Sequence, residues 1–166
     1  MPENIFDVQK HPFEPVFSKN SRILILGSFP SVQSRESQFY YGHPRNRFWK
    51  VISALFDTSV PLTIADKKAL IIAHGLALWD SIASCSVSGS SDASVKNVVV
   101  NDLSIITNVC EIQRIYCNGH LSWQLFERYI SPEVKMDAIC LPSTSPANAQ
   151  WSYERLLDAW RVILEK

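Results

Sequence analysis

Amides, hydroxyls and aromatic rings recur in this chain directly after its short apolar runs, where a protein commonly keeps the groups that meet a ligand. Ser28, Phe29, Tyr41, His43, Arg45 and Asn46 follow the run that ends at Leu26; Asp80 follows Trp79; Asn118 follows Cys117; and Ser143, Thr144, Ser145 and Asn148 follow Leu141. The set is mostly neutral, with a few cations. It suits recognition of a flat, polar heterocycle: a ring stacks on its face, amides read its edge, and donors neutralise negative charge building on a departing base.

What the sequence lacks narrows the chemistry further. There is no GxGxxG, no GxxxxGK[ST] and no GxSxG, so the usual supports for dinucleotide, nucleoside-triphosphate and serine-hydrolase chemistry are missing. Asp80 and Asp92 are the carboxylates near these positions, and neither lies in an acidic cluster able to hold magnesium. The four cysteines, Cys85, Cys110, Cys117 and Cys140, form no CxxC pair and no zinc-ligand spacing with the four histidines. Reduced thiols are expected, with no metal and no cofactor.

With 16 basic and 16 acidic residues the formal net charge is zero, so overall electrostatics make no case for nucleic acid. The local picture differs. His43 to Lys50, HPRNRFWK, holds Arg45, Arg47 and Lys50 with no acid among them, which makes a local anion site.

The elements that must position these groups can be read from hydrophobic pattern. Arg22–Leu26, Leu76–Trp79, Arg114–Cys117 and Met136–Leu141 read as four buried strands. Helices are expected over Arg47–Leu55, with Asn46 as N-cap, Ile64–Ala73 with Ala65, Ala69, Leu70 and Ala73 inward, Leu103–Cys110, His120–Tyr129, and Gln150–Leu164. Trp49 and Trp160 fall on apolar helical faces and read as core. Residues 1–20 read as an extended surface segment, and the Ser-rich stretch 81–101 as a solvated connector without regular structure, with a substrate-side loop as the alternative. Strands alternating with helices imply an α/β fold, a three-layer αβα sandwich around a central, mainly parallel four-stranded sheet. Such sheets carry their ligand sites at the carboxyl ends of the strands, where the groups named first would gather.

At 166 residues the chain is expected to form one domain, 1–166. No apolar run approaches the roughly 20 residues that cross a bilayer, and MPENIFDVQKH lacks the order of a signal peptide. A cytoplasmic monomer with no membrane partner is the expectation.

The GSFPS turn from Gly27, the stretch YYGHPRNRFW from Tyr40, the NG pair at Asn118 and LPSTSPANA from Leu141 together resemble the uracil-DNA glycosylase superfamily. Within it they look most like the branch that removes hypoxanthine, the base of deoxyinosine. The mismatch-specific branch has GINPG where this chain has GSFPS, so its water-orienting asparagine is replaced by Phe29. A phenyl ring cannot hold a water.

The resemblance implies that this task moves to Asn46 as the catalytic residue. It also implies that Gly27, Ser28, Phe29, Tyr41, His43 and Asn118 contact the base, with Tyr41 stacking and Asn118 facing its edge. Arg45, Arg47, Ser143, Thr144, Ser145, Pro146 and Asn148 would contact DNA, the last five in a loop entering the duplex. Plainer roles compete: Asn46 as a helix cap alone, His43 before Pro44 as structural, and Tyr41 as a cover for the core edge. Asp92 lies in GSSDAS, similar to a GSxDS stretch of the family, with no role assigned. The implied activity is hydrolysis of an N-glycosidic bond in double-stranded DNA without a covalent intermediate, with hypoxanthine favoured over uracil or a mismatched pyrimidine. A non-catalytic nucleotide-binding or DNA-binding module is the remaining alternative.

Overall fold

The computed structural model describes residues 7–87 and 96–165. The chain runs through β1 (Asp7–Lys10), β2 (Ile23–Gly27), α1 (Val32–Ser37), α2 (Phe48–Leu55), α3 (Ile64–Ala73), β3 (Leu76–Asp80), β4 (Ile82–Val87) and β5 (Lys96–Val100). It continues through α4 (Ser104–Thr107), β6 (Arg114–Asn118), α5 (His120–Leu125), a π-helical turn Phe126–Ile130, α6 (Ser131–Val134), β7 (Ala138–Leu141) and α7 (Tyr153–Trp160), ending in a 3-10 turn.

Continuous apolar runs make the central sheet. Its order is β3-β2-β6-β7, all neighbours parallel, with Gly27 opposite Asp80 and Asn118 opposite Leu141. Leu24, Ile25, Leu26, Leu76, Ala77 and Leu78 are fully buried, as strands covered on both faces require. The edge strand β7 is the exception, leaving Ile139 exposed. Helix α2 packs on α7, α3 on β3, and α5 on β6 and β7, giving the α/β sandwich. Trp49 and Trp160 are buried in its main apolar cluster, which reaches from Val16 to Ile163.

Three expectations need correction. Residues 81–101 do contain regular structure: β4 pairs antiparallel with β5 and with β1, forming a second, three-stranded sheet. The setting of Ile82 and Cys85 among Ser84 and Ser86 escapes a search for continuous apolar runs, and Asp92 lies outside the described residues. The N-terminal segment is more than an extended surface stretch, since β1 joins that sheet and the buried Val16 exchanges backbone hydrogen bonds with Leu78. Helix α3 turns Leu70 and Ile71 inward and leaves Ala65, Ala69 and Ala73 exposed, because the larger side chains gain more from burial. Among the described residues no helix is long and apolar enough to cross a membrane.

Candidate active site

The carboxyl ends of β3, β2, β6 and β7 bring Asp80, Gly27, Asn118 and the loop after Leu141 to one edge of the sheet. At the end of β6, Asn118 holds Thr144 at two points: its Nδ2 donates to Thr144 Oγ1 at 2.9 Å, and its Oδ1 accepts the Thr144 N–H at 3.0 Å. The Thr144 hydroxyl then donates to Asn46 Oδ1 at 2.8 Å. One buried hydroxyl thereby links residues from three separate strand-end loops.

Asn46 also caps α2, its Oδ1 accepting the Phe48 N–H at 2.9 Å. With two donors on Oδ1, both lone pairs are used, and the Nδ2 hydrogens are what the amide has left to offer. The backbone around it is fixed as well. Asn46 N–H donates to the His43 carbonyl at 2.9 Å, and His43 Nδ1 accepts from Arg45 N–H at 3.0 Å. His43 is thus a turn-forming residue here.

Tyr41 has a φ of +55°, a left-handed conformation uncommon outside glycine, and its ring stacks on Phe48 with centroids 4.0 Å apart. Its hydroxyl is buried and has no hydrogen-bond partner among the described residues. Burial, then the nearby Asp80 charge, pushes the phenol well above its ordinary range, with the Asn118 amide opposing. It remains protonated and can only share a hydrogen bond. Gly27 makes this approach possible: a Cβ there would lie 2.3 Å from Asp80 Oδ1 and 3.0 Å from the Tyr41 hydroxyl.

Asp80 has a partner that local sequence gave no sign of. His11 Nε2 lies 2.7 Å from Asp80 Oδ2, both side chains are 5% exposed, and His11 Nδ1 donates to the Phe13 carbonyl at 2.8 Å. An oxygen faces each ring nitrogen, so the imidazole is held at both ends. Phe29 lies edge-on to His11, 6.1 Å between centroids, with Arg35 over its ring.

Two residues assigned to DNA contact are used inside the protein. Thr144 is fully buried, so it cannot touch a duplex, and the relay explains why it is there. The Arg47 guanidinium donates to the carbonyls of Trp151, Ser145 and Asn148, and its backbone N–H donates to the Thr144 carbonyl at 3.1 Å. It clamps the loop rather than facing outward. That loop is further braced by Asn148 Nδ2 on the Ser143 carbonyl at 2.9 Å and by Ser143 Oγ accepting from Ser145 N–H. Ser143, Ser145, Pro146 and Asn148 keep part of their surface, Ser28 is also part-exposed, and Arg45 is exposed with no side-chain partner among the described residues. Among the described residues no cluster of His, Cys, Asp and Glu could hold a metal.

The arrangement can offer a planar polar group a fixed amide with a braced loop beside it. Comparison with known proteins points the same way. The sequence model of the uracil DNA glycosylase superfamily matches residues 14–164. A protein of Methanosarcina acetivorans named hypoxanthine DNA glycosylase is 33% identical over 158 residues, covering 93% of this chain and 97% of that one. A namesake from Methanosarcina barkeri is 28% identical over 117 residues, covering 69% and 74%. The solution NMR structure of a Methanosarcina acetivorans protein, named provisionally as a uracil DNA glycosylase, superposes with a TM-score of 0.78 at 27% identity, covering 96% of this chain and all of that one.

Proposed function

We propose the following reading for this chain, which belongs to the uracil DNA glycosylase superfamily: it is a monofunctional DNA glycosylase that releases a deaminated base, hypoxanthine, from double-stranded DNA. The observation that carries it is the Asn118–Thr144–Asn46 relay, which fixes a spare amide donor at the carboxyl edge of the sheet.

A poorly paired base would be extruded at a cost of about a few kcal/mol and lie beside Gly27, Ser28, Phe29, His43 and the Tyr41 ring, which Phe48 backs. The base lies against that ring, its edge toward Asn118. As the glycosidic bond stretches, the sugar becomes cationic and the base gains the electron pair. The positive end of α2 and nearby backbone N–H groups favour that charge. Asn46 holds the attacking water through Nδ2. Water oxygen bonds to the sugar carbon, its proton leaves to solvent, and the base is released and protonated.

No lysine lies in the loops that follow Gly27, Asn118 and Leu141 to attack the sugar, which supports hydrolysis without a covalent intermediate. Arg45, Ser143, Ser145, Pro146 and Asn148 form the DNA-facing rim. We further propose that the chain acts as a single-domain monomer in the cytoplasm, a setting that suits its four free thiols.

The test is a panel of duplexes carrying inosine, xanthine or uracil, with alkali to cleave abasic sites, run on wild type and Asn46→Ala. Hypoxanthine release by wild type that falls at least about 100-fold in the variant supports the reading. Release of uracil without hypoxanthine overturns the base assignment, and no release from any duplex overturns the activity.

A further inference from the structure

The site holds an acceptor that the proposed mechanism leaves unused. Asp80 Oδ2 is taken by His11, but Oδ1 has no hydrogen-bond partner among the described residues and lies where a Cβ on Gly27 would stand. The Asp80 carbonyl is pinned separately by Asn101 Nδ2 at 2.8 Å. His11 therefore fixes the carboxylate and Asn101 the backbone that carries it, with one carboxylate oxygen free. Near that oxygen stands the buried Tyr41 hydroxyl, which remains protonated, and the Asn118 amide, whose first Nδ2 hydrogen goes to Thr144, acts on the same hydroxyl.

One free acceptor flanked by donors, all at the end of a parallel sheet, is the complement of a lactam edge, where an N–H adjoins a carbonyl. Deamination creates that edge. In adenine N1 is an acceptor and the exocyclic group a donor; in hypoxanthine N1 carries hydrogen and O6 accepts. We propose that Asp80 is the specificity-determining residue, its Oδ1 accepting the N–H of the lactam while Asn118 and Tyr41 donate to the carbonyl, and that His11 is a positioning residue that keeps the carboxylate aimed.

This rests on the glycosylase reading above and adds to it the means of telling hypoxanthine from adenine, guanine carrying the same lactam edge. An intact adenine would set its N1 lone pair against the carboxylate, so rejection comes from repulsion as well as from a missing bond. A buried polar site left unpaired by the wrong base costs far more than a missing methylene does.

The test compares single-turnover release from duplexes carrying deoxyinosine and 1-methyldeoxyinosine, in which a methyl group replaces the N1 hydrogen. Wild type should prefer deoxyinosine by about 100-fold or more. In Asp80→Ala the preference should shrink to within about 10-fold, because the variant no longer distinguishes N–H from N–CH3. Asp80→Asn, of the same shape, serves where the alanine variant does not fold, and should show an intermediate preference. A merely structural Asp80 would slow both substrates equally, and an unchanged preference in a folded variant overturns the inference while leaving the glycosylase reading intact. Absence of base release by wild type from every lesion duplex overturns both.

Discussion

Asn118 and Thr144 meet through two hydrogen bonds, 2.9 Å and 3.0 Å, that occupy the whole edge of one fully buried threonine. The same threonine reaches Asn46 at 2.8 Å, so the orientation of the proposed catalytic amide is set from the loop after β7, and through Asn118 from β6, as well as by the Phe48 N–H. A hydroxyl in this place must act as donor and acceptor at once.

Thr144→Val keeps the shape and removes both functions. Asn118 Nδ2 and Asn46 Oδ1 each lose a partner, which should cost about 1–3 kcal/mol of stability. The melting temperature should fall by several degrees and release of hypoxanthine by roughly 10-fold to 100-fold, since the amide is no longer aimed. Thr144→Ser retains the hydroxyl and should recover most of the rate. Thermal melts and single-turnover assays on an inosine duplex decide the matter; a full-rate valine variant removes the relay from the mechanism.

Asn46 both caps α2 and offers Nδ2, and two substitutions separate the roles. Asn46→Ala should lose about 1 kcal/mol from the cap and about 100-fold to 1,000-fold in rate. Asn46→Asp preserves acceptors for the Phe48 N–H and the Thr144 hydroxyl, so stability should hold, but it has no amide hydrogens and the rate should fall as in the alanine variant. An active aspartate variant would mean that the cleft needs an acceptor at this point.

These two residues also show what sequence could and could not reveal. Asn46 was legible as a cap because its residue type and the apolar face after it are local signals. The four central strands were legible for the same reason, as unbroken apolar runs. The grip of Asn118 on Thr144, the Arg47 clamp and the His11–Asp80 pair were not, because each joins residues 26 to 104 positions apart and nothing near either partner requires the other. The β4–β5 pair escaped because half-exposed strands rich in serine resemble a connector until β1 arrives to complete their sheet. Arg47 is the instructive case: its position in HPRNRFWK suggested phosphate, while three carbonyls of a distant loop had already claimed it.

Gly27→Ala tests how tightly the strand ends approach. The added carbon would stand 2.3 Å from Asp80 Oδ1, a separation that real atoms do not keep, so Asp80 or β2 must move. Overpacking of this kind should cost about 1–3 kcal/mol. Base release should fall with it, because the same shift displaces the Tyr41 hydroxyl. Melting curves with the inosine assay report both; an alanine variant of wild-type stability and rate would mean that the Asp80 side chain swings aside at no cost.

Arg45 and Arg47, two positions apart, should respond in opposite ways. Arg45 is exposed and its side chain has no partner among the described residues, so Arg45→Ala should leave the melting temperature unchanged. Duplex affinity should weaken, and the slope of log affinity against log salt should flatten by about one, as for the loss of one phosphate contact. Arg47→Ala strips donors from the carbonyls of Trp151, Ser145 and Asn148 and should cost about 2–4 kcal/mol, with little change in the salt slope. Arg47→Lys should not restore stability, because a single ammonium cannot span three carbonyls as a planar guanidinium does. Binding isotherms at several salt concentrations, paired with thermal melts, separate the two arginines. A flattened salt slope for Arg47→Ala at unchanged stability would put that guanidinium on the phosphate backbone and the loop clamp second.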